Sequence, residues 1–340
     1  MKAQVLVQNG SADQAFELQD RPTPEPGPGQ VRIKVECFGL NFADVMARQG
    51  LYRDAPPLPS VLGYEVVGTL DQLGEGVVGI AEGQRVVAFT RFGGYAEYAL
   101  TDSRAIAPIS EAMDGAQATA LATQYGTAYF CACEMTRLFP GDKVLVQAAA
   151  GGVGTALVQL AKHAGCEVYG TAGGPEKVDY LRKIGVDHPI DYQKQDFYEL
   201  IAQMHTQPAL DVVFDSIGGT TYSKGLKLLN AGGRMVSFGA AKRSGNGGFL
   251  STLKLMWGFG IVLPVQLIMH SRAAIGVNML RIADKKPEVL QRVMQAVVDL
   301  YNEGVLEPQV GGKFPVEELA NAHHLLETRK TTGKVAIFWQ

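Results

Sequence analysis

The chain has 340 residues, of which 46% are hydrophobic and 19% charged, and it carries a formal net charge of −3. This composition excludes a disordered chain, and the acidic balance without a basic arm argues against nucleic acid as a partner. The length accommodates two domains of ordinary size. The opening MKAQVLVQNG begins directly on a strand-like alternation and lacks the apolar core of a secretory signal. Cys37, Cys131, Cys133 and Cys166 form no recognisable disulfide framework, so a reduced, cytoplasmic setting is expected.

The first part of the chain reads as β-rich. RPTPEPGPGQ (21–30) is too rich in proline and glycine for a helix and is an extended connection. VRIKVECFG, VLGYEVVGTLDQLG and QRVVAFT are β-branched runs that end in turns. Near residue 125 the pattern changes to alternating strands and helices. KVLVQAA leads into GGVGTALVQLAKHAG, EVYGTA into PEKVDYLRKIG, and HPIDY into QDFYELIAQM. LDVVFDSIG, a helix, RMVSFGA and AAIGVNM follow. This alternation predicts a doubly wound parallel sheet. KPEVLQRVMQAVVDLYNEG has the apolar spacing of an amphipathic helix, and KVAIFWQ is again strand-like. The expected organisation is a β-rich domain over 1–124, an inserted α/β domain over 125–278, and a return to the first domain over 279–340.

The strongest local motif is KVLVQAAAGGVGTALVQLAKHAG, a strand, a small-residue turn and a helix. The pattern is Ala149-x-Gly151-x-x-Gly154, with alanine at the first glycine of a dinucleotide fingerprint. Gly151 lets backbone approach a pyrophosphate, and Gly154 lets the helix pack on the strand. Together with Gly152 and Val153, these residues present a helix N-terminus to the phosphates. At the end of the second strand, YGTAGGPEK has no acid from Thr171 to Gly174 to hold a ribose 2′-hydroxyl. Lys177 is a candidate to pair with a 2′-phosphate, Tyr192 to stack near the adenosine or donate to that phosphate, and Gly173 belongs to the acid-free cofactor-binding stretch, which together favour NADPH over NADH.

A catalytic zinc needs three ligands of the His, Cys or carboxylate type. The six histidines stand at 163, 188, 205, 270, 323 and 324, none within the first 162 residues. No metal is expected. The apolar segment 249–269 has an uncharged run, Leu255 to His270, that is shorter than the ~20 residues of a spanning helix. A buried or pocket-lining segment is expected there, with peripheral membrane contact as the alternative.

GLNFADVMARQGLY (39–52), LPSVLGYEVVG (58–68), ATQYGTAY (122–129), AAAGGVG (148–154), HPIDY (188–192), DSIGG (215–219) and TTGKV (331–335) resemble the medium-chain dehydrogenase/reductase superfamily. Among its branches they resemble the zinc-free quinone oxidoreductases, and within these the vesicle-amine-transport-type subgroup. The resemblance implies a GroES-like catalytic domain with an inserted Rossmann domain. It also implies a homodimer, with AAIGVNM as the candidate pairing strand.

In zinc-dependent relatives the three ligand positions correspond to Asn41, Tyr64 and Thr119, while Asp44 and Glu65 beside them remain. The implied chemistry is direct hydride transfer from NADPH to a small-molecule quinone or α,β-unsaturated carbonyl. Conjugation in such acceptors spreads the charge to oxygen without a Lewis acid. Asn41, Asp44, Tyr52 and Tyr64 are the catalytic candidates. Asn41, Thr123, Gly126, Thr127, Ser216, Phe238, Gly239, Asn278 and Lys334 are expected along the cofactor. Two alternatives stand beside this reading. One is an enoyl-thioester reductase using Tyr52. The other is a weakly catalytic, membrane-surface or partner-binding member of the same fold.

Overall fold

The computed structural model of the protein describes residues 1–205, 207–241 and 257–339. The chain forms two compact units, one of Met1–Gly126 with Met279–Gln340 and the other of Thr127–Asn278.

The first unit is built on strands. β1 (Lys2–Leu6) pairs antiparallel with β2 (Phe16–Asp20) and with the short β4 (Ser60–Val61). A larger sheet is centred on β3 (Gln30–Leu40), β5 (Glu65–Leu73) and β6 (Arg85–Phe89). β7 (Tyr98–Asp102) pairs with β3, and β8 (Ile106–Pro108) with β6. Val31, Ile33 and Val35 alternate along β3 and enter the core with Phe38, Leu40, Val66, Leu70, Val86 and Ala88. Each such burial contributes roughly 1.5–3 kcal/mol. β3 is followed at once by α1 (Phe42–Arg48), with Asn41 as its N-cap residue.

The second unit is a six-stranded parallel sheet. Its strands are β9 (Lys143–Val146), β10 (Glu167–Ala172), β11 (His188–Asp191), β12 (Leu210–Asp215), β13 (Leu229–Ser237) and β14 (Ala273–Gly276). They are ordered β11-β10-β9-β12-β13-β14. That is the Rossmann order, in which the strand sequence reverses beside the first strand and leaves a ligand crevice at the carboxyl ends. The crossovers include α2 (Gly152–His163), α3 (Pro175–Lys183), α4 (Phe197–Met204) and α5 (Thr220–Leu228). Buried Leu145, Tyr169, Ile190, Phe197, Ile201, Val213 and Met235 form its core.

The chain then returns to the first unit through α6 (Pro287–Asn302), β15 (Val310–Pro315), α7 (Leu319–Glu327) and β16 (Lys334–Phe338). β16 lies antiparallel to β3, with Val335 opposite Leu40 and Ala336 opposite Gly39. β3 therefore has β5 on one side and β16 on the other, both antiparallel. The carboxyl end of β3 meets the amino ends of both neighbours, which brings Asn41, Glu65 and Lys334 together.

The described part of the apolar segment departs from the buried placement expected of it. Trp257 is 90% exposed, Ile261 82% and Ile268 79%. Residues 249–256 lie outside the described residues. Among those described, no helix is long and apolar enough to cross a membrane.

Candidate active site

The centre of the first unit is a buried polar cluster. Lys334 and Glu65 form an ion pair through Glu65 Oε1, and both side chains are fully buried. Lys334 Nζ also donates to Leu40 O and to Asn41 Oδ1, each at 3.2 Å. Asn41 Nδ2 donates to Glu65 Oε1 at 2.8 Å, and the Asn41 backbone N–H donates to Asp44 Oδ2 at 2.8 Å. Asn41, Asp44 and Lys334 are thus brought together, with Glu65 at the hub. Lys334 is expected along the cofactor from the sequence; its side chain is wholly enclosed, with its ammonium on Glu65, Leu40 O and Asn41 Oδ1.

Burial pushes the Asp44 carboxyl up to about 8, reinforced by the nearby Glu65 charge. Beside this cluster, Tyr64 is buried, and its phenol interacts with that of Tyr52. Burial, then Asp44, push that phenol strongly up, so it stays protonated. Tyr52, half-buried, stands edge-on to Tyr64 with ring centroids 6.2 Å apart and planes at 81°. Burial and the Asp54 charge raise its phenol as well. Thr123 belongs to a π-helical turn at Leu121–Tyr125, and among the described residues its buried Oγ1 has no hydrogen-bond partner.

The second unit carries the small-residue turn between β9 and α2. An added Cβ at Gly154 would overlap the Ala148 carbonyl oxygen and come within 2.7 Å of Ala149 Cα, so glycine sets the close packing of α2 on the turn. At Gly151 an added Cβ would meet Ala148 O at 3.3 Å, a tight contact but less severe than at Gly154. Gly152, Val153 and Gly154 open α2, and the first N–H groups of a helix have no intrahelical acceptors. The left-handed residue of the turn is Ala148, at φ 52°, a conformation that costs a non-glycine residue roughly 1–2 kcal/mol. Ala149 is simply buried, its N–H on Thr171 O.

At the end of β11, Asp191 Oδ1 accepts from Gln193 N and from Gly174 N in the loop after β10, both at 3.1 Å, tying the two loops together. The Tyr192 hydroxyl lies over Gly173, where a Cβ would come within 2.5 Å of it. Lys177 lies half-buried one turn into α3. At the end of β12, Asp215 accepts from Ile217 N at 2.8 Å and from Gly218 N at 3.2 Å, shaping the turn that bears Ser216. Gly239 packs on that turn, with room for no Cβ beyond 2.9 Å from Ser216 O. Phe238 N donates to Asp215 O, and Asn278 follows β14 in an exposed position. Gly126 and Thr127 are buried in the helical stretch Gly126–Tyr129.

These two arrangements have counterparts in known proteins. Residues 152–296 match the family Zinc-binding dehydrogenase, and residues 27–111 the family Alcohol dehydrogenase GroES-like domain. The synaptic vesicle membrane protein VAT-1 homolog of Rattus norvegicus is 36% identical, over 99% of this chain and 84% of its own. The chain belongs to the medium-chain dehydrogenase/reductase superfamily. Among solved members, the Escherichia coli quinone oxidoreductase complexed with NADPH superposes with a TM-score of 0.84 at 27% identity. It covers 99% of this chain and 100% of its own. The CurK enoyl reductase does so at 0.85 and 25%, covering 100% and 99%.

Many medium-chain dehydrogenases hold zinc, so the positions assigned to its ligands were tested for fit. Asn41 offers an amide tied to Glu65 and Lys334. Tyr64 offers a protonated phenol. Thr119 spends its hydroxyl on Ala116 O at 2.9 Å. None is an anionic or imidazole ligand of the kind zinc takes, and the Lys334 ammonium already occupies Glu65. Among the described residues, no three His, Cys, Asp or Glu side chains converge in a metal-holding group. These residues do not fit a zinc ion.

Sequence reasoning missed two supports. Tyr95 Oη reaches His323 Nε2 at 3.4 Å behind the cluster, and burial drives the His323 imidazole down to about 3, so it stays neutral. Gly39, within the quoted GLNFADVMARQGLY, was not singled out. An added Cβ there would overlap Glu65 Oε1 and Lys334 Cε.

Proposed function

We propose that the protein is a zinc-independent, NADPH-dependent reductase acting on a quinone or an α,β-unsaturated carbonyl. The observation that carries this reading is the Asn41–Glu65–Lys334 cluster, which puts a fixed amide donor backed by a buried cation where a metal would polarise the substrate. The donor set does not fit a metal, and a conjugated acceptor does not require one.

NADPH supplies the hydride when bound. The bare backbone at Gly151, which carries no Cβ, and the amino end of α2 suit its pyrophosphate. Gly173, Lys177 and Tyr192 suit a 2′-phosphate, with no carboxylate from Thr171 to Gly174 to repel it. In the first unit, Thr123 Oγ1 suits a ribose or carboxamide group, with Gly126 beside it as a further candidate; in the second, Thr127, Ser216, Phe238, Gly239 and Asn278 are the candidates for cofactor contacts. Asn41 donates to the acceptor oxygen, and Asp44 fixes the backbone from which it projects. Tyr64 and Tyr52, both kept protonated, are the hydrogen-bond or proton donors for that oxygen. The test is NADPH oxidation by 1,4-naphthoquinone with chelator-treated, metal-analysed protein. Turnover is expected. Its absence across a panel of quinones and enones, or its appearance only on adding zinc, would overturn the reading.

A second reading, an enoyl-thioester reductase, is favoured by the placement of Tyr52 against Tyr64 and by the likeness to a solved enoyl reductase. It predicts turnover of crotonyl thioesters and a loss of about 10²-fold or more in Tyr52→Phe. The exposed apolar residues between Trp257 and Met269 support surface association with a membrane, which liposome flotation tests. The edge strand β14 supports pairing with a second copy, which light scattering tests. A cytoplasmic setting accords with both and is tested by fractionation.

A further inference from the structure

Two charges are enclosed behind Asn41 with an unpartnered oxygen beside them. Lys334 and Glu65 have no exposed surface, and among the described residues Glu65 Oε2 accepts no hydrogen bond. Stability does not account for this. Buried ion pairs can commonly be replaced by apolar residues at no loss, and orphaned polar atoms add a desolvation cost.

The arrangement does accomplish one thing: it leaves the Asn41 amide a single orientation. An ammonium can only donate and a carboxylate can only accept. Lys334 Nζ faces Asn41 Oδ1 at 3.2 Å, and Glu65 Oε1 faces Nδ2 at 2.8 Å. Flipping the amide would set N–H against ammonium and oxygen against carboxylate. The backbone N–H of Asn41 is fixed too, by Asp44 Oδ2. The second Nδ2 hydrogen takes no protein acceptor among the described residues, and Asn41 keeps 7% exposure. The Lys334 ammonium draws density from the amide oxygen, which strengthens that remaining N–H as a donor.

We infer that Lys334 and Glu65 are positioning residues for the reduction: their buried pair locks and polarises the Asn41 amide so that its free N–H meets the oxygen on which the acceptor's negative charge develops. The inference rests on the proposed role of Asn41 in donating to that oxygen.

The test compares Glu65→Gln/Lys334→Met, which keeps volume and strands no charge, with Asn41→Ala and with the triple variant. The readouts are the Kd for NADPH by fluorescence, and kcat and KM with 1,4-naphthoquinone. The double variant should hold its Kd within about threefold and lose about tenfold in kcat, since the donor is weakened and not removed. In the Asn41→Ala background the same pair of changes should alter kcat less than about twofold. An unchanged kcat in the double variant, or an equal loss with and without Asn41, would overturn the inference while the role of Asn41 stands. A wild-type kcat in Asn41→Ala would overturn the role of Asn41 and the inference together. If that double variant does not fold, Glu65→Gln/Lys334→Gln makes the same comparison, since an amide donor then stands at 334 and both charges are gone.

Discussion

Replacing Gly39 by alanine perturbs the cluster without removing any of its members. The new Cβ would overlap Glu65 Oε1 and Lys334 Cε and lie 2.7 Å from Lys334 Nζ. Neither side chain can swing away, because both are fully buried. Alanine gains about 0.5–1 kcal/mol over glycine in a strand. Overpacking costs about 1–3 kcal/mol, and loosening a hydrogen bond to a charged group costs about 1.5–3 kcal/mol more. The net expectation is a destabilisation of about 2–5 kcal/mol. Urea unfolding followed by Trp339 fluorescence reads it out, since Trp339 packs on the core of the first unit, while Trp257 is already exposed. Gly276→Ala is the control. No atom lies within 4 Å of its added Cβ, so it should be neutral or stabilising by up to about 1 kcal/mol. A Gly39→Ala variant with the wild-type midpoint and the wild-type kcat would refute the geometry assigned to the cluster.

Three further expectations follow from the same packing arguments. Gly154→Ala should disrupt the phosphate turn and destabilise the second unit, whereas Gly151→Ala should fold normally and weaken NADPH about tenfold in a fluorescence titration. Gly173→Ala should displace the Tyr192 hydroxyl and raise KM for NADPH more than KM for NADH; equal effects on both would detach Tyr192 from the 2′-phosphate. His323 stays neutral in the fold down to about pH 3, but its imidazole takes a proton near pH 6.5 once unfolded. Below pH 6.5 the unfolded chain therefore binds more protons, and stability falls as pH falls. Between pH 6.5 and 5 the wild type should lose about 2 kcal/mol relative to His323→Gln in urea midpoints at the two pH values. Parallel pH profiles would contradict this.

Much of the fold was legible because hydrophobic periodicity reports directly on burial. The alternation in VRIKVECFG became β3, and the strand–helix alternation after residue 125 became the parallel sheet. AAIGVNM supplied its edge strand. The glycine fingerprint at 151 and 154 was legible for the same reason, since small residues mark close approach. That Ala148 takes the left-handed conformation was not, because alanine carries no sign of it. The enclosure of Lys334 was hidden as well. It depends on the register of β16 against β3, which brings residues 41, 65 and 334 to one end of the sheet. Tyr95 and His323 stand 228 residues apart, and neither belongs to a motif. The 249–269 segment misled in a different way. Apolar composition reports a preference for cover and not its presence, and residues 257–269 are largely exposed.

The central claim is that hydride passes directly to a conjugated acceptor with no metal taking part, and following the hydrogen itself tests this most directly. Protein dialysed against chelator and shown by elemental analysis to be free of zinc is given NADPH deuterated at C4 and an α,β-unsaturated ketone. The product is analysed by mass spectrometry and NMR. The account predicts one deuterium on the β-carbon, at the rate that untreated protein shows with the same deuterated NADPH, and a rate at least tenfold lower in Asn41→Ala. Label lost to solvent, or turnover restored only by added zinc, would contradict it.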